Sequence, residues 1–472
     1  MLLSNLETLI RRYGSQKQVR ILLKNIGGSV LVKMLALTVS FFTMPVYLSY
    51  FENKTLLGIC LTLLSAFNWI LMFDFGIGNS LRNKLVIPLH ENNREEIKRY
   101  ISSAGIVVGG ISAVILLVGL VAAGAIDWNS FFKIPKKTVA PAVLCWAVRI
   151  LFFGIVLQFF LKLIPAILYA MQRIVVINFL TLCSTVLILT CLLIFRTPLP
   201  AINLILFSLI QAMALNLPLL VMGMVLFRTV LKESLPSWYF FSGSHAKAII
   251  SLGGSFFAIQ IALLFLNSIN EIIIAKVFTT SAVVEYSIYR KIFQLILFFF
   301  TILTQPTWAA ISQAWAEKRM GFIRKIYWLF NGVAIAAFIF CMVVAFHLQW
   351  LVDLWLREAA IPINRETALW FAAETGVTML VFSTTVISNG VSRLRCQLIC
   401  TIGAAACKIP VTLLLIPLLD DWNCVVAANV IVLLPMLIAM SWATRNFLKQ
   451  NNDDYDKKVS MQSLNNNHTV KW

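Results

Sequence analysis

An α-helix needs about 20 apolar residues to cross the hydrocarbon core of a bilayer. This sequence holds twelve stretches of that kind, at roughly 26–48, 56–76, 101–123, 139–162, 174–195, 201–227, 248–270, 282–303, 326–347, 368–388, 397–418 and 424–443. Hydrophobic residues make up 60% of the chain and charged residues 12%, about half the charged share of a soluble domain. A chain this apolar needs lipid as its solvent. There every backbone polar group must be satisfied internally, which leaves helices and closed barrels. Runs of this length predict an all-α polytopic membrane protein with twelve transmembrane helices.

The formal net charge is +19. Lysine and arginine crowd the N-terminus, the even-numbered loops and the tail. Arg82, Lys84, Arg94, Lys98 and Arg99 share one loop, and Lys318, Arg319, Arg324 and Lys325 another. By the positive-inside rule both termini are cytoplasmic, so a nucleic-acid partner is not needed to explain the charge. Lys133, Lys136 and Lys137 on the outer side run against the rule. The basic segment 1–25 reads as a cytoplasmic amphipathic helix, too long and polar for a cleaved signal. The segment 446–472 reads as a polar cytoplasmic tail, without order from Asn451 onward. The nine cysteines lie mostly inside apolar runs and read as packing residues. The four histidines have no metal spacing, and no cofactor is implied.

The chain echoes itself at half its length. Ile26-Gly27-Gly28-Ser29 opens the first span and Leu252-Gly253-Gly254-Ser255 the seventh; Phe51 before span 2 is matched by Phe278 before span 8. Parallel six-helix repeats are a known transporter plan, with the substrate between the halves. The expected organisation is an N-terminal lobe at 26–228, a cytoplasmic linker at 229–247 and a C-terminal lobe at 248–445.

Ionisable groups within the spans carry the functional signal. Lys33 lies in span 1, Arg149 in span 4, Arg290 and Lys291 in span 8, and Lys408 in span 11. The acidic groups are Asp74, Glu271, Glu285 and Glu374. Each cation at the bilayer centre costs about 2.5–3.5 kcal/mol, so five facing lipid would cost on the order of 15 kcal/mol. They must face water, counterions or an anionic ligand. Helical spacing gathers polar stripes: Ser29, Lys33, Ser40, Thr43 and Tyr47 in span 1; Gln260, Asn267 and Glu271 in span 7; Ser287, Lys291, Gln294, Thr301 and Gln305 in span 8; Thr401, Lys408 and Thr412 in span 11. These read as walls of one cationic cavity. Arg290 could instead brace the bundle against Glu285 or Glu271, and Lys33 could snorkel to the interface. Glu374 is a candidate proton or sodium site, or a counterion. The positive balance favours an anionic substrate over a cationic drug.

Catalytic signatures are missing from the sequence. No Walker loop is present, and Asp74-Phe75-Gly76 lacks a kinase catalytic loop around it. Asp420-Asp421 reads as a solvated pair. The expectation is a non-enzyme. A polytopic glycan polymerase or ligase is the enzymatic alternative, although the longest outer loop, Leu348 to Glu366, is short for one.

Several motifs resemble a known family. Asp74-Phe75-Gly76-Ile77-Gly78-Asn79-Ser80-Leu81-Arg82 is similar to the signature ending span 2 of Wzx-type O-antigen flippases. Leu168-Tyr169-Ala170-Met171-Gln172-Arg173 is similar to their motif after span 4. Leu252 to Ser255, Asn270-Glu271, Glu285-Tyr286-Ser287 and Gln305-Pro306-Thr307-Trp308 through Ala314 resemble their span 7–8 block. One departure is Asn270-Glu271, where relatives often carry an aspartate. The resemblance implies the multidrug/oligosaccharidyl-lipid/polysaccharide (MOP) exporter superfamily, in the bacterial inner membrane, with two lobes and alternating access. It implies an undecaprenyl-diphosphate-linked oligosaccharide as substrate, an O-antigen or related lipopolysaccharide repeat unit. Lys33, Arg149, Arg290, Lys291 and Lys408 are then the candidate substrate cations, and Glu374, Glu271 and Asp74 candidate sites for a coupling H+ or Na+ or counterions. Polysaccharide polymerase or chain-length proteins are candidate partners. A small-molecule antiporter of the same superfamily is the alternative.

Overall fold

The computed structural model describes residues 27–36, 38–39, 43–51, 60, 63–64, 71, 75–131, 139–278, 280–356, 361–419 and 421–468. The segment 1–25, most of the first two expected spans, Ser40, Asp74, the outer-loop lysines 133, 136 and 137, and Asp420 lie outside them. Among the described residues no strand occurs, and ten helices are long and apolar enough to cross a membrane. These ten coincide with expected spans three to twelve.

Two short pieces come first, α1 (Gly27–Ala36) and α2 (Thr43–Phe51). Then follow α3 (Ile77–His90), α4 (Arg94–Ala125), α5 (Pro141–Leu161), α6 (Leu163–Ala170), α7 (Ile174–Ile194) and α8 (Pro200–Arg228). The later helices are α9 (Gly243–Ser268), α10 (Asn270–Val277), α11 (Thr280–Ala316), α12 (Met320–Phe346), α13 (Leu348–Leu356), α14 (Arg365–Gly390), α15 (Arg395–Leu419) and α16 (Cys424–His468). Helices α5 and α6 form one span broken at Lys162, since Pro165 has no N–H to return to Leu161.

Local chemistry sets the helix starts. Asn93 caps α4 by accepting from the Glu96 N–H at 3.1 Å, and Asn364 caps α14 by accepting from Glu366 at 2.8 Å. Pro141 and Pro200 occupy first-turn positions where a missing N–H costs nothing. Four helices end the same way. Asn92, Gln172, Lys318 and Ser392 all have a left-handed φ, between 52° and 58°. In each turn the next residue's N–H returns to a helix carbonyl: Asn93 to Pro88 at 2.9 Å, Arg173 to Leu168 at 2.8 Å, Arg319 to Ala314 at 2.8 Å and Arg393 to Ser388 at 3.0 Å. These are Schellman turns. They join α3 to α4, α6 to α7, α11 to α12 and α14 to α15, positions six spans apart in pairs.

The chain divides into two compact units, one covering 23–257 and the other beginning at Ala258. In the first, α5 packs on α4 and α8, α7 on α8, and α3 on α4 and α6. Leu144, Val148 and Leu151 of α5 meet Leu204, Phe207 and Ile210 of α8, with Tyr47, Tyr50 and Phe51 of α2. Lipid tails are as apolar as leucine, so close packing rather than water exclusion holds such helices together. Small residues permit it: a Cβ on Gly154 would stand 2.5 Å from that of Ala212. In the second unit α14 is central, packing on α11, α12 and α16, while α15 packs on α16.

The 229–247 segment lies on the start of α4. Ser237 and Ser242 N–H groups donate to Ser102 and Ser103 Oγ, both at 3.0 Å. His245 bonds Glu96 at 3.0 Å through Nε2 and Ser242 at 2.8 Å through Nδ1, with Tyr100 edge-on to its ring.

One expectation is corrected here. The tail was read as lacking order beyond Asn451, yet α16 runs on to His468. Starting a helix is the costly step, and a membrane helix already supplies the nucleus.

Candidate functional site

Polar residues of the second unit converge on Glu374. This carboxylate projects from α14 and is only partly buried. Asn429 of α16 donates to its Oε1 at 2.6 Å. The Asn429 Oδ1 in turn accepts from Nζ of Lys408 on α15, which also donates to the Val425 carbonyl at 3.1 Å. Val425 and Asn429 are four residues apart, so one face of α16 presents both acceptors. Lys408 is 0% exposed. Charge-assisted hydrogen bonds contribute about 1.5–3 kcal/mol each, enough to offset burial of one ammonium. Lys408 and Arg290 both lie close enough to Glu374 to act on it electrostatically.

Span 8 supplies a second cluster. Arg290 pairs with Glu271 at 2.6 Å, with side chains 27% and 43% exposed. One turn earlier, buried Tyr286 accepts from Asn270 Nδ2 at 2.9 Å. The Asn270 Oδ1 is buried and finds no hydrogen-bond partner among the described residues. Tyr286, Tyr289, Phe371 and Trp422 pack around this point with ring centroids 5.4–6.3 Å apart, Tyr289 and Phe371 stacked and the other pairs edge-on or tilted. The Trp422 indole donates to Glu285 at 3.3 Å. Lys291 is exposed, 5.9 Å above the Trp355 ring. It has no carboxylate within ion-pair distance among the described residues.

The expected stripes divide. In span 8, Ser287, Lys291, Gln294, Thr301 and Gln305 all keep access, as do Gln260, Asn267 and Glu271 in α9 and α10. The span 11 stripe needs correction: Thr401, Lys408 and Thr412 are fully buried instead of lining a wet wall. The threonines bond their own helix carbonyls, Thr401 to Gln397 at 2.7 Å and Thr412 to Lys408 at 2.8 Å, and so need no water. In span 1, Ser29 and Tyr47 are also buried, Tyr47 bonded to Gln211 at 2.8 Å, while Lys33 and Thr43 are partly buried.

The first unit holds Arg149, partly buried on α5 with Trp146 5.5 Å away. It also gathers three motif segments. Fully buried Arg82 lies 4.6 Å from the Tyr169 ring. Gly76, at φ 63°, meets Gly253 backbone to backbone: a Cβ on Gly253 would stand 2.9 Å from the Phe75 carbonyl. These residues brace helices. Sequence reasoning passed over Asn429 and Trp422; a lone asparagine in the apolar run 424–443 was the available signal for the first.

No family model and no curated protein matches this sequence. Solved structures do match its fold. The Vibrio cholerae MATE transporter VcmN in its bent form superposes with a TM-score of 0.71 at 13% identity, over 92% of this chain and 99% of that one. An outward-facing multidrug resistance MATE family transporter of the MOP superfamily gives 0.66 at 15% identity, over 91% and 96%. A MATE in complex with MaL6 gives 0.68 at 15% identity, over 91% and 97%. The chain is thus a multi-pass membrane protein with the fold of the MATE transporters of the MOP superfamily.

Proposed function

We propose that the chain is an alternating-access transporter of a lipid-linked anionic oligosaccharide, an undecaprenyl-diphosphate-linked repeat unit of a surface polysaccharide. The observation that carries this reading is the exposed, carboxylate-free ammonium of Lys291 within a spanning helix. Beside it Arg290 keeps part of its guanidinium accessible while paired. Such groups suit a diphosphate, bound through charge-assisted hydrogen bonds. Lys33 is the third substrate cation in this reading. Lys408 is a counterion for Glu374, not a ligand.

A second reading is an ion-coupled antiporter of small molecules. The Glu374–Asn429–Lys408 chain and the unpartnered Asn270 oxygen favour it, because a carboxylate and a free carbonyl oxygen within a membrane suit H+ or Na+. In the lipid-linked reading the same cluster supplies the coupling ion. Expression in a strain lacking its own polysaccharide flippase separates the two. The wild-type chain should restore surface polysaccharide. Arg290→Gln with Lys291→Gln should abolish it at an unchanged membrane level of the protein. Drug resistance without restoration, or full restoration by the double variant, would overturn the lipid-linked reading.

A further inference from the structure

A groove of about 820 Å³ runs between α4, α5 and α8 of the first unit. Its wall is apolar side chains, among them Val121, Phe153, Met213 and Leu217, exposed by 44–74%. Side chains this apolar, on spanning helices, need hydrocarbon against them. Two polar residues interrupt the wall. Asn216 spends both amide hydrogens on the Gly154 and Ala212 carbonyls, at 2.8 and 2.7 Å, and so staples the helices. Arg149 remains as the single charge of the groove among the described residues. It has no carboxylate within ion-pair distance among the described residues. Room for its guanidinium comes from Gly124, whose added Cβ would lie 2.5 Å from it.

The dimensions fit one lipid. Arg149 stands eight residues into α5, about 12 Å from the helix start at 1.5 Å per residue, within reach of the headgroup region. From Arg149 the groove descends to Leu157, another 12 Å or so, close to the depth of one leaflet. We propose that this groove binds an anionic phospholipid of the surrounding bilayer, its phosphate on Arg149 and an acyl chain along α5 and α8. The assignment goes beyond the transport reading and does not depend on it.

Trp146 lies in the groove and reports on its occupant. In nanodiscs, its fluorescence is the difference between wild type and Trp146→Phe. One brominated phosphatidylglycerol in ten, in a phosphatidylcholine background, should quench that component well beyond the same fraction of brominated phosphatidylcholine. Both lipids offer Arg149 a phosphate, but the choline ammonium offsets that charge and glycerol does not; a preference of about tenfold for the net anion gives about half occupancy at this fraction. Arg149→Gln should erase the preference and Arg149→Lys should keep part of it. Met213→Trp, which fills the groove with the charge intact, should erase it too. Equal quenching by both lipids would overturn the proposal. So would displacement of the brominated lipid by equimolar polyprenyl phosphate, which would assign the groove to a different lipid.

Discussion

Replacing Lys408 by methionine removes the ammonium held by Asn429 and Val425 while keeping most of the side chain's length. Glu374 then loses a cation that acts on it through Asn429, and the Asn429 oxygen loses its donor. Breaking a buried pair from one side costs about 3–5 kcal/mol. The lower end applies here, because Glu374 is partly exposed and reaches Lys408 through Asn429. At roughly 2–4 °C per kcal/mol for a unit of this size, Lys408→Met should lower the melting temperature by about 6–12 °C. Adding Glu374→Gln removes the stranded charge, and the amide can still accept from Asn429. The double variant should recover to within about 1 kcal/mol of wild type, as neutral replacements of buried pairs do. Melting of the detergent-solubilised protein, followed by size-exclusion fluorescence, gives both numbers. A Lys408→Met protein as stable as wild type, or a double variant no better than the single, would refute the counterion assignment.

Five other substitutions test features of the fold. Gly76→Ala should cost about 2–5 kcal/mol, combining left-handed strain with overpacking: the new Cβ would fall on the Gly253 carbonyl and 2.7 Å from Phe256 Cβ. Gly254→Ala, with nothing within 4 Å among the described residues, should melt at or above the wild-type temperature. Gln172→Gly and Ser392→Gly should each raise stability by up to about 1 kcal/mol, through relief of a positive φ. Glu96→Gln should weaken the His245 contact and speed amide hydrogen exchange at Ser237 and Ser242, while exchange within α14 stays unchanged.

The spans were legible because hydrocarbon imposes a length and a composition that each stretch must meet alone. The side of each stripe was harder to read. Helical spacing put Thr401, Lys408 and Thr412 on one face correctly, but periodicity does not say whether that face meets water or another helix. Span 11 meets α16, whose Asn429 and Val425 carry the acceptors, and nothing local to span 11 encodes that partner. Arg290 was readable to the extent that two carboxylates lay within reach along the chain, and Glu271 takes it. The motif segments mark packing contacts: Arg82 lies over the Tyr169 ring, and Gly76 meets Gly253. Both contacts join residues far apart in sequence. The helical tail was missed because polarity was weighed without the helix that precedes it.

The four Schellman turns have a mechanical corollary. Each leaves three or four residues between consecutive helices, with the chain's hydrogen bonds already returned to the helix just ended, so no slack remains for one helix to slide past its mate. The pairs α3–α4, α6–α7, α11–α12 and α14–α15 should therefore travel as stiff forks during any working cycle. Displacement has to be absorbed at the opposite ends of those forks, or at proline interruptions such as Pro218, Pro306 and Pro410, where a carbonyl is already released from its ladder.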